Sequence, residues 1–247
     1  MAPELLARLR PRLTALTIDL PAGPWRPPLV EGDRGGHLGV LVVHGLLTRD
    51  VRLASTSCAE LLGDGDLLRP WEGAESGLPM ALDVGWEILV PTRLAVIDRQ
   101  ATTLIGRVPE LNTAFVSRTV RRSRWLALHL AIRCLRRIDV RLLALFWHLA
   151  DRWGRVTPQG VVVPLAFTHE LLARLVGARR PTVTTALGDL AHRELVHRRP
   201  DGEWLLGLEL PDELARLNAS AASGLARPDD GVFPVAGAPP RRPPQPG

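Results

Sequence analysis

The sequence contains no lysine. Its 31 basic residues are all arginine, set against 26 acidic ones, so guanidinium groups carry the formal charge of +5 over 247 residues. That modest positive balance fits a nucleic-acid partner but is common elsewhere, and its placement matters more than its total. Cysteine is nearly absent. Cys58 and Cys134 are far apart and form no CxxC pair, which argues against both a disulfide framework and a cysteine metal cluster. Long uncharged apolar runs are lacking too. The N-terminal "MAPELLARLRPRL" has no uninterrupted apolar core, so a secretory leader is not expected. The stretch "WLALHLAIRCL" includes His129 and Arg133, which makes it a poor membrane span. No P-loop, Rossmann glycine fingerprint, G-x-S-x-G or HExxH occurs. The absences point to a cytoplasmic non-enzyme with no membrane segment, no metal and no cofactor.

What is present divides by periodicity into an α+β chain. From about Asp19 to Asp98 the signal is β. "HLGVLVVHGLL" is an apolar run interrupted at His44-Gly45, as a hairpin would be. "WEILVPTRLAVID" reads as a further strand pair, with Pro91 at a bend or edge. Gly63, Asp64 and Gly65 in "LLGDGDLLRPWE" mark a turn between short strands. Many short strands with glycine-rich turns predict a sandwich or roll.

Beyond Pro109 the pattern becomes helical. Ala127, Leu128, Leu130, Ala131, Ile132, Cys134, Leu135 and Ile138 share an arc of roughly 200°, about twice what one packing surface needs. His129, Arg133, Arg136 and Arg137 fall opposite. One side of the arc can pack on the β-domain and the other on a second copy, which makes Ala127, Leu128, Leu130, Ala131, Cys134 and Leu135 the expected dimer seam. A helix buried wholly in its own domain would use the same residues. Asp139 is placed to cap the next helix, whose face Leu142, Phe146, Leu149 and Trp153 closes at Gly154. "TPQGVVVP" then reads as a loop with one short strand.

The stretch from Thr168 to Leu206 carries the chemistry. Thr168 can cap a first helix, with Glu170 in its first turn. Gly177 permits a sharp turn, and Pro181 is tolerated in the first turn of a second helix. Val183, Leu187 and Leu190 point inward at i, i+4 and i+7. Pro181, Thr184, Thr185 and Gly188 then point outward, with Arg180 at the tip. Such a face fits a major groove. "HRRPDGEWLL" adds a hairpin turning at Pro200-Asp201-Gly202, approached by Arg198 and Arg199. The whole reads as a winged helix-turn-helix; a small helical domain with solvated arginines is the plainer alternative.

"FTHELLARLVGARRPTVTTALGDLAHRELV" resembles the helix-turn-helix of the Crp/Fnr superfamily of bacterial transcription regulators. "IDVRLLALFWHLADRWG" looks like the helix leading into it. "GVLVVHGLLTRDV", "AELLGDGDLLRPW" and "WEILVPTRLAVIDR" resemble that family's cyclic-nucleotide-binding-type jelly roll. The resemblance implies four regions: a sensor β-roll at 1–108, a dimerisation helix at 109–138, a winged helix-turn-helix at 139–218 and a disordered tail at 219–247, the tail rich in Ala, Gly and Pro and including Arg241 and Arg242. It implies a homodimer on double-stranded DNA with a two-fold operator, with RNA polymerase and an unidentified small-molecule effector as further partners. Thr168 and Thr182 would touch the backbone and Arg180 would read guanine. Arg179, Pro181, Thr184, Thr185, Arg198 and Arg199 complete the expected DNA surface.

Departures from the family limit what carries over. Pro181 stands where a base-reading glutamate is common, and Thr185 where a second base-reading arginine is common, so the operator of well-known members does not transfer. The segment "LLRPWEGAESGLPM" has Arg69 but neither the Gly-Glu nor the Arg-Ser/Thr pair of cyclic-nucleotide binders. Tight cyclic AMP binding is not expected; Arg69 is the one candidate effector residue, with a structural ion pair as its alternative role. No cysteine precedes Cys58, which disfavours an iron–sulfur sensor. His37 and His44 read as surface or turn residues rather than haem ligands, and with Glu60 they lack the His-x-His spacing of a cupin-type metal site. A small-molecule-binding module without DNA contact remains the rival function.

Overall fold

The computed structural model describes residues 14–27, 36–54, 56–71 and 83–225. The chain divides into two units, Met1–Leu208 and Glu209–Gly247. In the first, two apolar segments form 15-residue strands, β3 (Gly39–Leu53) and β6 (Asp83–Ile97), paired antiparallel along nearly their whole length. Different strands flank their two halves. β1 (Leu16–Leu20) and β2 (Gly23–Trp25) line successive parts of β6, while β4 (Thr56–Gly63) and β5 (Leu67–Leu68) line β3. Val40, Val42, Leu47, Leu62, Leu68, Trp86, Ile88 and Leu94 form the core beneath.

Two expected hairpins are instead single strands. The chain does not reverse at His44-Gly45, and Pro91 does not divide β6. Register shifts between Val42 and Leu47 absorb both irregularities. Gly45 sits at φ +114°, where a Cβ would meet Thr92, its Cα at 2.6 Å, and then the Pro91 carbonyl oxygen at 2.8 Å. The bulge thus lies opposite Thr92 and Pro91, where the ladder is already interrupted, so a proline without an amide is tolerated inside a central strand. The turn expected at Gly63–Gly65 is present and joins β4 to β5.

A short helix unannounced by the sequence pattern, α1 (Arg99–Arg107), follows β6. Asp98 caps it by accepting from the Ala101 amide at 2.8 Å. The long helix α2 covers Pro109–Cys134, ending before the expected 138. Leu135 is extended rather than helical, and α3 (Ile138–Trp153) begins with Arg137, not Asp139, at its N-cap. Asp139 instead sits in the first turn, drawn to the guanidinium groups of Arg137 and Arg193. Leu142, Phe146 and Leu149 are buried as the periodicity requires, Trp153 is half-buried, and Gly154 caps the helix.

The broad arc on α2 also splits differently. His129, assigned to the polar side, is buried together with Ile132, and its Nε2 lies 2.9 Å from the Leu175 carbonyl. Arg122, from the same inner side, binds both carboxylate oxygens of buried Glu60 and the Leu67 carbonyl. Tertiary partners satisfy these polar groups, which a helical projection cannot show.

"TPQGVVVP" forms a hairpin, β7 (Arg155–Thr157) and β8 (Gly160–Val163), rather than one strand. It extends the wing strands β9 (Val196–Arg198) and β10 (Trp204–Leu206) into a four-stranded sheet ordered β7-β8-β10-β9. In the second unit, a helix over Asp212–Leu225 crosses the expected tail boundary at 219, because its alanines favour helix. Residues 226–247, including Arg241 and Arg242, lie outside the described residues.

Candidate nucleic-acid interface

The helix-turn-helix is built as its residue types demand. α4 (His169–Val176) is capped by Thr168, whose hydroxyl accepts from the Leu171 amide at 3.1 Å. It buries Leu171, Leu172, Leu175 and Val176. Gly177 ends it at φ +66°, ψ +47°, the left-handed conformation glycine adopts without strain. Arg179 is then the N-cap of α5 (Arg180–His192), with Pro181 in the first turn.

Val183, Ala186, Leu187 and Leu190 are buried on α5. Arg179, Arg180, Pro181, Thr182, Thr184, Thr185 and Gly188 are all exposed. The residues expected to meet DNA on this helix therefore share one solvent-facing surface. Within it, the Thr184 and Thr185 hydroxyls donate to the carbonyls of Arg180 and Pro181, at 3.1 and 3.3 Å. The wing adds Arg198 and Arg199, both exposed. Arg198 lies over the Trp204 ring, 5.8 Å from its centroid, and Arg199 is 3.4 Å from the Asp201 carboxylate.

One residue of this surface was missed. His169, beside the Thr168 cap, bonds through Nδ1 to Thr184 at 2.9 Å. Burial chiefly, then the charges of Arg198 and Arg180, hold its pKa below the ordinary histidine value. The only sequence signal for it was adjacency to the cap.

Polar contacts tie α4 to the β3–β6 sheet, to α2 and to α3. Arg174 on α4 reaches Asp50 at 2.8 Å and Glu87 at 3.2 Å. His129 meets the Leu175 carbonyl, and Arg141 donates to the Val176 carbonyl at 3.3 Å. Behind them, His148 stacks on Trp125 with ring centroids 3.4 Å apart. Burial, reinforced by His129, pushes its pKa down to about 4.

The remaining expected residues are placed as follows. Ala127, Leu128, Leu130, Ala131 and Cys134 are exposed on α2, and Leu135 is half-buried beyond its end. Arg69 donates to the Leu38 carbonyl at 2.9 Å. Positions 72–82, where the missing cyclic-nucleotide pairs would fall, lie outside the described residues. A cavity of about 280 Å³ between the β4–β5 turn, α2 and α3 is lined by Arg118, Arg121, Arg122 and Arg152 among others, two of them already paired with Glu60 and Asp66. Among the described residues, no three His, Cys, Asp or Glu side chains gather to hold a metal ion, and no helix is long and apolar enough to cross a membrane.

Residues 140–217 match the family model of the Crp-like helix-turn-helix domain. The chain carries a Crp-like helix-turn-helix domain. A likeness of fold to solved structures extends through the N-terminal β-sheet region. A double mutant of CooA from Carboxydothermus hydrogenoformans superposes with a TM-score of 0.64 at 17% identity, over 87% of this chain and 94% of that one. A cyclic nucleotide-binding domain containing protein from Listeria monocytogenes gives 0.65 at 13% identity, over 83% and 98%. FixK2 from Bradyrhizobium japonicum gives 0.58 at 16%, over 78% and 93%. A comparison with curated proteins finds no match. Within the matched domain, α5 is the second helix of the helix-turn-helix and β9–β10 the hairpin that follows it.

Proposed function

We propose that the chain is a Crp/Fnr-type transcription regulator and acts as a homodimer that reads a two-fold operator, one α5 helix in each of two successive major grooves. The observation carrying this reading is the single exposed face formed by Arg180, Pro181, Thr182, Thr184, Thr185 and Gly188, flanked by the wing arginines. Arg180 at the helix tip can donate two hydrogen bonds to guanine O6 and N7. Thr168, Arg179, Thr182, Arg198 and Arg199 are the phosphate contacts, which set register and orientation. The compact Pro181 ring and the absence of a side chain at Gly188 let the helix backbone approach the groove closely.

The dimer seam is the outer stripe of α2. Leu128 and Leu130 are 52% and 65% exposed, and Val116 and Val120 continue the stripe at 54% and 45%. With Ala127, Ala131 and Cys134 they form a largely apolar exposed face, in which Arg124 is the interspersed charge. RNA polymerase and a small-molecule effector, with Arg69 as its candidate contact, belong to the same proposal, as does a cytoplasmic setting beside the DNA. Cyclic AMP is not the tightly held effector, because the groups that would compensate a desolvated cyclic phosphate are missing from the sequence.

Selection of binding duplexes from a random pool by the full chain, followed by mobility-shift measurements, tests the reading. Enrichment of a palindromic site supports it. Failure to retain any duplex at low salt overturns it in favour of a binding module without DNA contact.

A further inference from the structure

We propose that His169 is a proton-linked phosphate contact, so that the protein takes up a proton at each half-site when it binds DNA. The proposal rests on the DNA-binding reading above and adds a residue and a regulation to that surface.

His169 opens α4 and is half-buried beside the recognition helix, within the electrostatic reach of the wing's Arg198. Its Nδ1 is 2.9 Å from Thr184 Oγ1. The Thr184 hydroxyl gives its only proton to the Arg180 carbonyl, at 3.1 Å. It must therefore accept from the histidine. That assigns the neutral ring's proton to Nδ1 and leaves Nε2 as the atom that gains one. Thr184, on the exposed face of α5, holds this ring in place.

The charged groups facing the ring are Arg180 from α5 and Arg198 from the wing; Glu170 follows it on its own helix. Without DNA, burial and these two cations favour the neutral imidazole. The same two arginines attract phosphate to this surface. A phosphate arriving there cancels their field and offers an acceptor. The imidazolium then gains a charge-assisted N–H···O bond that the neutral ring cannot make with Nε2. The balance is simple: one proton moves from buffer to Nε2 per occupied site, and no bond other than N–H forms.

The sign of the linkage follows. DNA raises the pKa from its lowered value, so affinity falls as pH rises through the window between the two values. Below the free-protein value and above the bound value this residue adds no pH dependence.

The test uses the full chain and a labelled duplex recovered by the selection described above, at fixed salt across about pH 5.5 to 8.5. Fluorescence anisotropy gives affinity, and calorimetry in two buffers of different ionisation enthalpy counts protons. Wild type should lose affinity by up to about tenfold per pH unit per bound site within the window, with net proton uptake. His169→Gln keeps a donor for Thr184 but cannot titrate, so its profile should be flatter and its proton uptake smaller. His169→Arg, charged throughout, should hold high-affinity binding at the alkaline end. Equal pH slopes and equal proton uptake in wild type and His169→Gln would overturn the proposal while leaving DNA binding standing. Absence of binding to any duplex at every pH overturns the DNA-binding reading and this proposal with it.

Discussion

The guanidinium of Arg174, on the first helix of the helix-turn-helix, lies 2.8 Å from the carboxylate of Asp50 in β3. Asp50 is 7% exposed, and burial raises its pKa despite that partner. Removing one member of such a pair strands the other. Arg174→Met should lower unfolding free energy by about 3 kcal/mol, measured by urea denaturation. Adding Asp50→Asn should recover part of the loss. If the double variant is as unstable as the sum of the two single ones, the pair is not coupled.

His148 makes stability pH-dependent. Its pKa is about 4 in the folded protein against 6.5 ordinarily, with burial the main cause and His129 the second. The unfolded chain thus binds more protons between these values, so stability is full above pH about 6.5 and declines as pH falls toward about 4. The loss attributable to this one residue is about 3 kcal/mol. His148→Phe keeps an aromatic ring against Trp125 without a titrating group. Its unfolding free energy should vary less with pH over that window; an unchanged slope would assign the acid sensitivity elsewhere.

Ala131 lies on the exposed apolar stripe of α2. A carboxylate there would be desolvated in a dimer and solvated in a monomer. Ala131→Glu should weaken self-association roughly a hundredfold, about 3 kcal/mol, by sedimentation velocity. The monomer's helical circular dichroism should be retained. Wild type already monomeric at micromolar concentration would remove the seam from the account.

Arg180 and Arg198 should separate in function. Arg180→Ala should flatten base preference at one position per half-site, at about 1–3 kcal/mol of discrimination. Arg198→Ala should weaken all sequences alike and reduce the salt slope by about one. Arg199 is already shared with Asp201, so Arg199→Ala should act in the same way but less. Sequence-selected binding over a salt series distinguishes them. Full base preference in Arg180→Ala would mean that α5 is not the reading element.

The sequence by itself determined the helix-turn-helix. Its cap at Thr168, its left-handed Gly177, the first-turn Pro181 and the buried spacing of Val183, Leu187 and Leu190 are local rules, satisfied within a few residues. Elsewhere the deciding partners were distant. Only tertiary structure showed that β3 and β6 run unbroken, because a bulge at Gly45 accommodates Pro91 some forty-six residues away. It placed His129 inside, since the Leu175 carbonyl that satisfies it comes from another helix. It moved the start of α3 off Asp139, whose carboxylate is claimed by Arg137 and Arg193. It also brought His169 to Thr184. Periodicity records which side chains share a face, but a polar group's burial depends on whether a partner from elsewhere in the chain arrives to satisfy it, and that information is carried by the fold.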